Sequence, residues 1–253
     1  MKVALIGDVH GNLPALEAVL ADAERRGLAT VWNVGDFVGY GPFPDEVVKL
    51  LRGRPDTVSI AGNYDLKALK FRKKSGKWQK TKRREKWFAF KWAYDNLSNK
   101  SRKYLRSLPK EIRLEAEGWR VLLTHGSPES NKEHLGPDTP AERLRELAKT
   151  AEADVVLCGH SHQAFKRRVP GAGDGRGGVW FINPGTVGRP DDGDPRASYA
   201  VLSITSRRIA AAHHRIAYDV ERAAAAVRER GLPEDFARML LAGRDLDAVA
   251  PAL

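Results

Sequence analysis

Apolar runs separated by polar, glycine-marked breaks divide the first sixty positions into short alternating elements. Residues 3–6 are an unbroken apolar run stopped by Gly7, which reads as a short strand. Leu13, Leu16, Val19, Leu20 and Ala23 then recur at helical spacing, and Gly27 fits a helix stop. Residues 30–34 are β-rich and end at Gly35-Asp36, Pro44 can open a second helix through residue 51, and residues 57–60 read as the next strand. This order predicts an α/β fold, a sheet with helices on its faces reached by right-handed crossovers.

The pattern breaks over residues 66–110. Ser75-Gly76 marks a turn there, and Trp87, Phe88, Phe90, Trp92 and Tyr94 place aromatic rings around much of a helix expected over 84–97. Beyond Pro109 strand signals return: 112–114 and 119–124 frame the Glu117-Gly118 turn of a hairpin. Residues 140–151 look helical, and 154–158 form a buried-type strand ending at Gly159-His160. Short β-rich segments follow near 164–169, 179–182, 198–204 and 208–216, then a helical tail over 219–246 broken at Gly231-Leu232-Pro233. The chain thus reads as one domain, 1–253, carrying an insertion or cap at 66–110.

Composition narrows the class. A chain of 253 residues needs no disulfide or structural metal merely to fold. Hydrophobic residues at 42% and charged residues at 30% exclude wholesale disorder and fibrous repeats. No apolar run approaches the roughly 18–20 residues of a membrane span. The start turns polar at Asp8, too soon for a secretory apolar segment, and Cys158 is the one cysteine. The expectation is a reduced, cytoplasmic protein without membrane contact.

The net charge of +11 is unevenly placed. Residues 66–110 hold seventeen Lys or Arg against two acids, Glu85 and Asp95, so the remainder of the chain is slightly acidic. Lys80, Lys82, Arg83 and Arg84 form the densest run, and Trp78, Trp87 and Trp92 lie nearby. Cations that meet phosphates and indoles that stack on bases would suit a nucleic acid or nucleotide. The competing readings are a cap packed by its tryptophans and solvated by its charges, or a surface for dimerisation or another partner.

Five polar clusters each follow an apolar run beside a glycine: Asp8-Val9-His10, Gly35-Asp36, Gly62-Asn63-Tyr64-Asp65, Thr124-His125-Gly126 and Gly159-His160-Ser161-His162. In open α/β sheets, ligands bind outside the carboxyl ends of the strands, where these clusters can converge. Imidazole, carboxylate and amide oxygen suit Zn, Mn, Fe, Ni or Co. If the segments are extended, residues two apart leave on the same side, so Asp8 with His10, and His160 with His162, could each grip one site.

In their order and spacing, Asp8-x-His10, Gly35-Asp36-x-x-Gly39, Gly62-Asn63-x-Asp65, His125 and Gly159-His160-x-His162 resemble the calcineurin-like metallophosphoesterases. Gly39-Tyr40-Gly41-Pro42 and Asn183-Pro184-Gly185-Thr186-Val187 are similar to the small bacterial and archaeal branch of that family. The resemblance spans roughly 1–65 and 110–216. It implies a four-layer α/β/β/α sandwich around two divalent metal ions. Carried over by position, Asp8, His10, Asp36 and His162 would hold one ion, and Asp36, Asn63, His125 and His160 the other, with Asp36 bridging. The implied reaction is attack of metal-bound hydroxide on a phosphate ester, most consistently a phosphodiester. A nuclease using the same metals on DNA or RNA is one alternative. A non-catalytic interaction protein on the same fold is another, and the intact ligand set argues against it.

One position departs from the family pattern. Where the family has a histidine placed to protonate the leaving alkoxide or hold the phosphate, this chain has Tyr64. A phenol titrates near ~10 and is a poor proton shuttle at neutral pH. Asp65, which would orient that histidine, is left without an assigned task. His134 reads as a surface histidine, with reach to the site from a loop as the alternative, His213 and His214 as strand histidines, and Cys158 as a buried, inert thiol.

Overall fold

The structure, a computed structural model, describes residues 1–170 and 177–250. The first half alternates as its periodicity predicts: β1 (Lys2–Ile6), α1 (Leu13–Arg25), β2 (Val31–Asn33), α2 (Pro44–Arg52) and β3 (Thr57–Ser59). Three helices follow, α3 (Asn63–Thr81), α4 (Arg84–Asn96) and α5 (Asn99–Ser107). Then come β4 (Glu111–Ala116), β5 (Trp119–Thr124), α6 (Ala141–Ala151), β6 (Val155–Leu157), β7 (Phe165–Val169), β8 (Val179–Asn183), β9 (Ala197–Ile204) and β10 (Ile209–Ile216). The chain continues through α7 (Val220–Glu229), α8 (Glu234–Ala242) and α9 (Leu246–Val249).

The strands form two five-stranded sheets, ordered β10-β9-β1-β2-β3 and β4-β5-β6-β8-β7. Each keeps its parallel strands together, β1-β2-β3 in one and β5-β6-β8 in the other. Antiparallel partners lie at the sides. Alternation along β1 shows how the layers join. Val3 and Leu5 face the second sheet, meeting Val121, Leu123, Val155 and Leu157, while Ala4 and Ile6 face Leu16, Val19 and Val47 of α1 and α2. Leu122 and Val156 point the other way, onto Leu144 and Leu147 of α6. Strands apolar on both faces need cover on both, and the result is the expected four-layer sandwich.

Two features of residues 66–110 differ from the pattern reading. Ser75-Gly76 does not turn the chain; both lie inside α3. A glycine costs a helix only about 1 kcal/mol against alanine, and Ala68 and Phe71 on its buried side hold α3 down. Helix α5 was not foreseen, although Ser98 caps it by accepting from the Ser101 N–H at 3.2 Å.

The tryptophans are packing residues. Trp78 lies 5.3 Å from Phe90 between ring centres, Trp87 lies 5.5 Å from Phe71, and the Trp87 indole donates to the Ser75 carbonyl. These contacts close α3 onto α4. Trp92 packs with Phe88 against Phe236 and the other apolar residues of α7 and α8. A basic helical segment has few aliphatic side chains with which to make a core, so its partly buried aromatic rings join the helices.

Candidate metal centre

All five polar clusters lie at the carboxyl ends of strands, after β1, β2, β3, β5 and β6. Backbone hydrogen bonds lace their loops together. The Asp8 N–H donates to the Gly35 carbonyl, His10 to Asp36, and Gly159 to His125, at 2.8–2.9 Å. Asp65 carries the tightest tie: its carboxylate accepts from the N–H groups of Asp36, Val38 and Gly62. Asp65 thus positions the loops after β2 and β3. Burial and the neighbouring Asp36 carboxylate push its pKa up, and the Gly62 and Val38 amides pull against that. Gly62 must be glycine, because a Cβ there would sit 2.1 Å from Asp36 Oδ1.

Two buried or largely buried triads result: Asp8, His10 and His162, and Asp36, His125 and His160. Within each, the potential ligand atoms lie within 4.8 Å of one another. His160 and His162 therefore part company and do not grip one site together. The segments are not extended: Asp8, His10, Asp36, His160 and His162 all have φ between 50° and 67°. Left-handed backbone costs a non-glycine residue about 1 kcal/mol or more. Five such residues in one place are strain held by the surrounding fold. Asn63 joins the second triad, its side-chain amide 2.7 Å from His160 Nδ1.

Asp36 stands between the triads. Its Oδ1 accepts from the Tyr64 N–H at 2.7 Å in the first turn of α3. Its Oδ2 lies 3.3 Å from His125 Nε2 and 3.8 Å from His10 Nε2. Burial opposes charge on both Asp36 and His125, but each offsets it in the other: Asp36 stays well below the usual carboxylate range and His125 rises to about 9. Burial pushes His10 down to about 3 and His160 to about 4, so both are neutral imidazoles.

The donor set fits divalent cations. His10 and His125 turn Nδ1 to the carbonyls of Val38 and Val34, and His160 turns Nε2 to the carbonyl of Lys132. Donation of one ring N–H outward leaves the other nitrogen facing inward, an acceptor in neutral His10 and His160 and, in His125, one whose proton a cation would displace. Asp8 Oδ1 is buried with no hydrogen-bond partner, and His125 Nε2 is buried facing only Asp36 Oδ2. The Nε2 atoms of His10 and His162 face each other at 3.2 Å. A cation satisfies such converging acceptors.

The triads open into a cleft of about 540 Å³ lined by Tyr40, Tyr64, Lys67, Lys132, His134 and Arg189, among others. Tyr64 is at the position that departs from the family pattern, its hydroxyl 3.0 Å from that of Tyr40. His134 is exposed, as read, yet it lies at the cleft, its ring centre 4.3 Å from that of His160. Lys67 and Arg189 escaped the sequence reading. Lys67 stands one helical turn from Asn63 and donates to its Oδ1 at 3.0 Å, a spacing that could have revealed it once α3 was known. Lys80, Lys82, Arg83 and Arg84 are not among the residues lining this cleft. Arg83 is engaged by Glu85 and Asp247, while Lys82 lies over the Trp78 ring. His213 Nε2 meets the Asn183 carbonyl at 2.8 Å, and burial raises the Cys158 thiol pKa, as suits a structural residue.

Fold and site together define a metallophosphoesterase. The profile of the calcineurin-like phosphoesterase superfamily domain matches residues 1–207, and the chain belongs to that superfamily. It is a phosphoric ester hydrolase of a family that uses divalent metals. MJ0912 of Methanocaldococcus jannaschii, an uncharacterized protein, is 31% identical over 96% of this chain and 98% of its own. Phosphodiesterase YfcE of Escherichia coli is 26% identical over 80% of this chain and 87% of its own. Among solved structures, a metallophosphoesterase from Sphaerobacter thermophilus superposes with a TM-score of 0.77 at 34% identity, covering 96% of this chain and 99% of that one. Among the described residues no helix is long and apolar enough to cross a membrane.

Proposed function

We propose that the chain is a dinuclear metal-dependent phosphodiesterase. The observation that carries this reading is the Asp36 carboxylate, whose Oδ2 faces a histidine of each triad. Asp8, His10 and His162 would hold one ion and Asn63, His125 and His160 the other, with Asp36 shared. Divalent ions bound there would supply Lewis-acid charge to the phosphate and acidify a water. The protein's part is to hold the ligands. Asp65 aligns the Asp36 and Asn63 loops, and outward hydrogen bonds fix the tautomers of His10, His125 and His160. Tyr64 presents a phenol where a proton donor would aid a poor leaving group. Diesters with stabilised leaving groups suit such a site better than alkyl monoesters, and the likeness to a named phosphodiesterase points the same way.

The test begins with metal-stripped protein reloaded with Mn, Zn, Ni or Mg and offered aryl and alkyl monoesters, diesters, cyclic nucleotides and oligonucleotides. Diester hydrolysis that requires metal is the expected result, and preferential cleavage of oligonucleotides would favour a nuclease. Metal content after dialysis tests the bridge. Asp36→Asn should lose both ions and at least about 100-fold in rate, at the scale of a key electrostatic contact, whereas Asp8→Asn should lose mainly one ion. Retention of both ions and full activity by Asp36→Asn would remove Asp36 from its proposed place.

A further inference from the structure

Arg189 follows the Asn183-Pro184-Gly185-Thr186-Val187 segment, and its guanidinium lines the cleft with Asp36, Asn63, His160 and His162. Its central carbon lies 4.3 Å from the centre of the Tyr40 ring, so the guanidinium stacks on that face. Its Nε is buried and has no hydrogen-bond partner. Asp191 and Asp245 also line the cleft, yet Arg189 makes no salt bridge among the described residues. The other cations there are differently occupied. Lys67 donates to Asn63, Lys86 faces Asp247 at 3.8 Å, and Lys132 is exposed.

The loop that carries Arg189 is latched to the first ligand loop. The Arg189 N–H donates to Thr186 Oγ1 at 3.0 Å, and that hydroxyl donates to the Asp8 carbonyl at 2.8 Å. The Gly188 N–H reaches the same carbonyl at 3.0 Å. A Cβ on Gly188 would fall 1.8 Å from the Val9 carbonyl oxygen, so glycine alone permits the approach. Asp191 and Asp245 favour the Arg189 charge from a distance, but its Nε keeps an unused donor. Its rigid placement beside the triads gives it a use that an anion would complete.

We propose that Arg189 is the phosphate-binding residue of the cleft. Its planar guanidinium takes non-bridging oxygens of the ester phosphate, with Tyr40 as the platform that sets its orientation. It provides positive charge on the side of the site where Tyr64 provides only a neutral phenol. The assignment rests on the phosphoesterase reading for its substrate class, phosphate diesters, but its test includes binding as well as turnover.

Wild type, Arg189→Met and Arg189→Lys are compared as Mn-loaded proteins titrated calorimetrically with inorganic phosphate, with metal content measured on each. Thermal unfolding is followed without phosphate. Arg189→Met should bind phosphate about 10- to 100-fold more weakly, the scale of charge-assisted hydrogen bonds, with metal content unchanged. Its melting temperature should stay close to that of wild type, because Arg189 is only partly buried and makes no salt bridge among the described residues. Arg189→Lys should recover part of the affinity. Wild-type phosphate affinity in Arg189→Met would overturn the proposal, as would a joint fall in melting temperature and metal content, which would make Arg189 a prop for its loop. Phosphate binding that depends on Arg189 in a wild-type protein that hydrolyses no ester would uphold the anion site and overturn the phosphoesterase reading instead.

Discussion

Tyr64 and Asp65 are neighbours with separate tasks. Tyr64 lines the cleft with its hydroxyl tied to Tyr40, and burial raises the phenol further above its ordinary range. Leaving groups should therefore depart with little protonation, so wild type should favour aryl over alkyl esters. Tyr64→His should raise kcat/KM on alkyl monoesters, up to the roughly 10²–10⁴-fold typical of general acid catalysis, and change aryl diester hydrolysis little. Equal wild-type rates on both classes would point to another donor, with His134 first in line because it lines the cleft beside His160. Asp65→Asn puts an amide NH2 where oxygens accept three buried N–H groups. At least one donor then faces another, at about 1–3 kcal/mol. At roughly 2–4 °C per kcal/mol for a chain of this size, calorimetry should show a melting temperature lower by several degrees. An unchanged value would mean that the loops hold without this carboxylate.

Helix α3 links cap and site. Its first turn carries Asn63 and Asp65, and its Tyr64 N–H stabilises the Asp36 charge, as the positive end of a helix does. Farther along, its glycine is a weak point without a function of its own: a Cβ on Gly76 would meet nothing within 4 Å. Gly76→Ala should stabilise the protein by about 0.5–1 kcal/mol through helix propensity. Urea unfolding measures this, and a loss of stability would indicate that α3 is interrupted there after all.

Across the whole molecule, charge is divided between the basic helices and a slightly acidic remainder. The two meet where Arg83 pairs with Asp247 of α9. Three residues of the basic run, Lys80, Lys82 and Arg84, form no salt bridge among the described residues. If polynucleotides bind this face, neutralising these three should lower the slope of log affinity against log salt by at most about 3. Arg83→Ala should instead loosen α4 from α9. Fluorescence anisotropy of a labelled oligonucleotide over a salt series tests the first expectation. Binding without salt dependence would leave the face a solvated cap surface.

The sequence by itself determined the local features. Periods of two and 3.6 residues mark most strands and helices because side-chain direction repeats within each element. The ligand residue types are legible at strand ends because each sits in a short polar, glycine-flanked break. Tertiary structure decided how distant pieces meet. His160 and His162, two positions apart, joined opposite triads because left-handed backbone turned them away from an extended strand's common face. The cap tryptophans became partly buried packing residues once α3, α4, α7 and α8 came together. Arg189 entered the cleft because its loop is held to the Asp8 carbonyl by groups 178 residues away along the chain. No local pattern encodes such a contact, since its free energy arises only when both segments have folded.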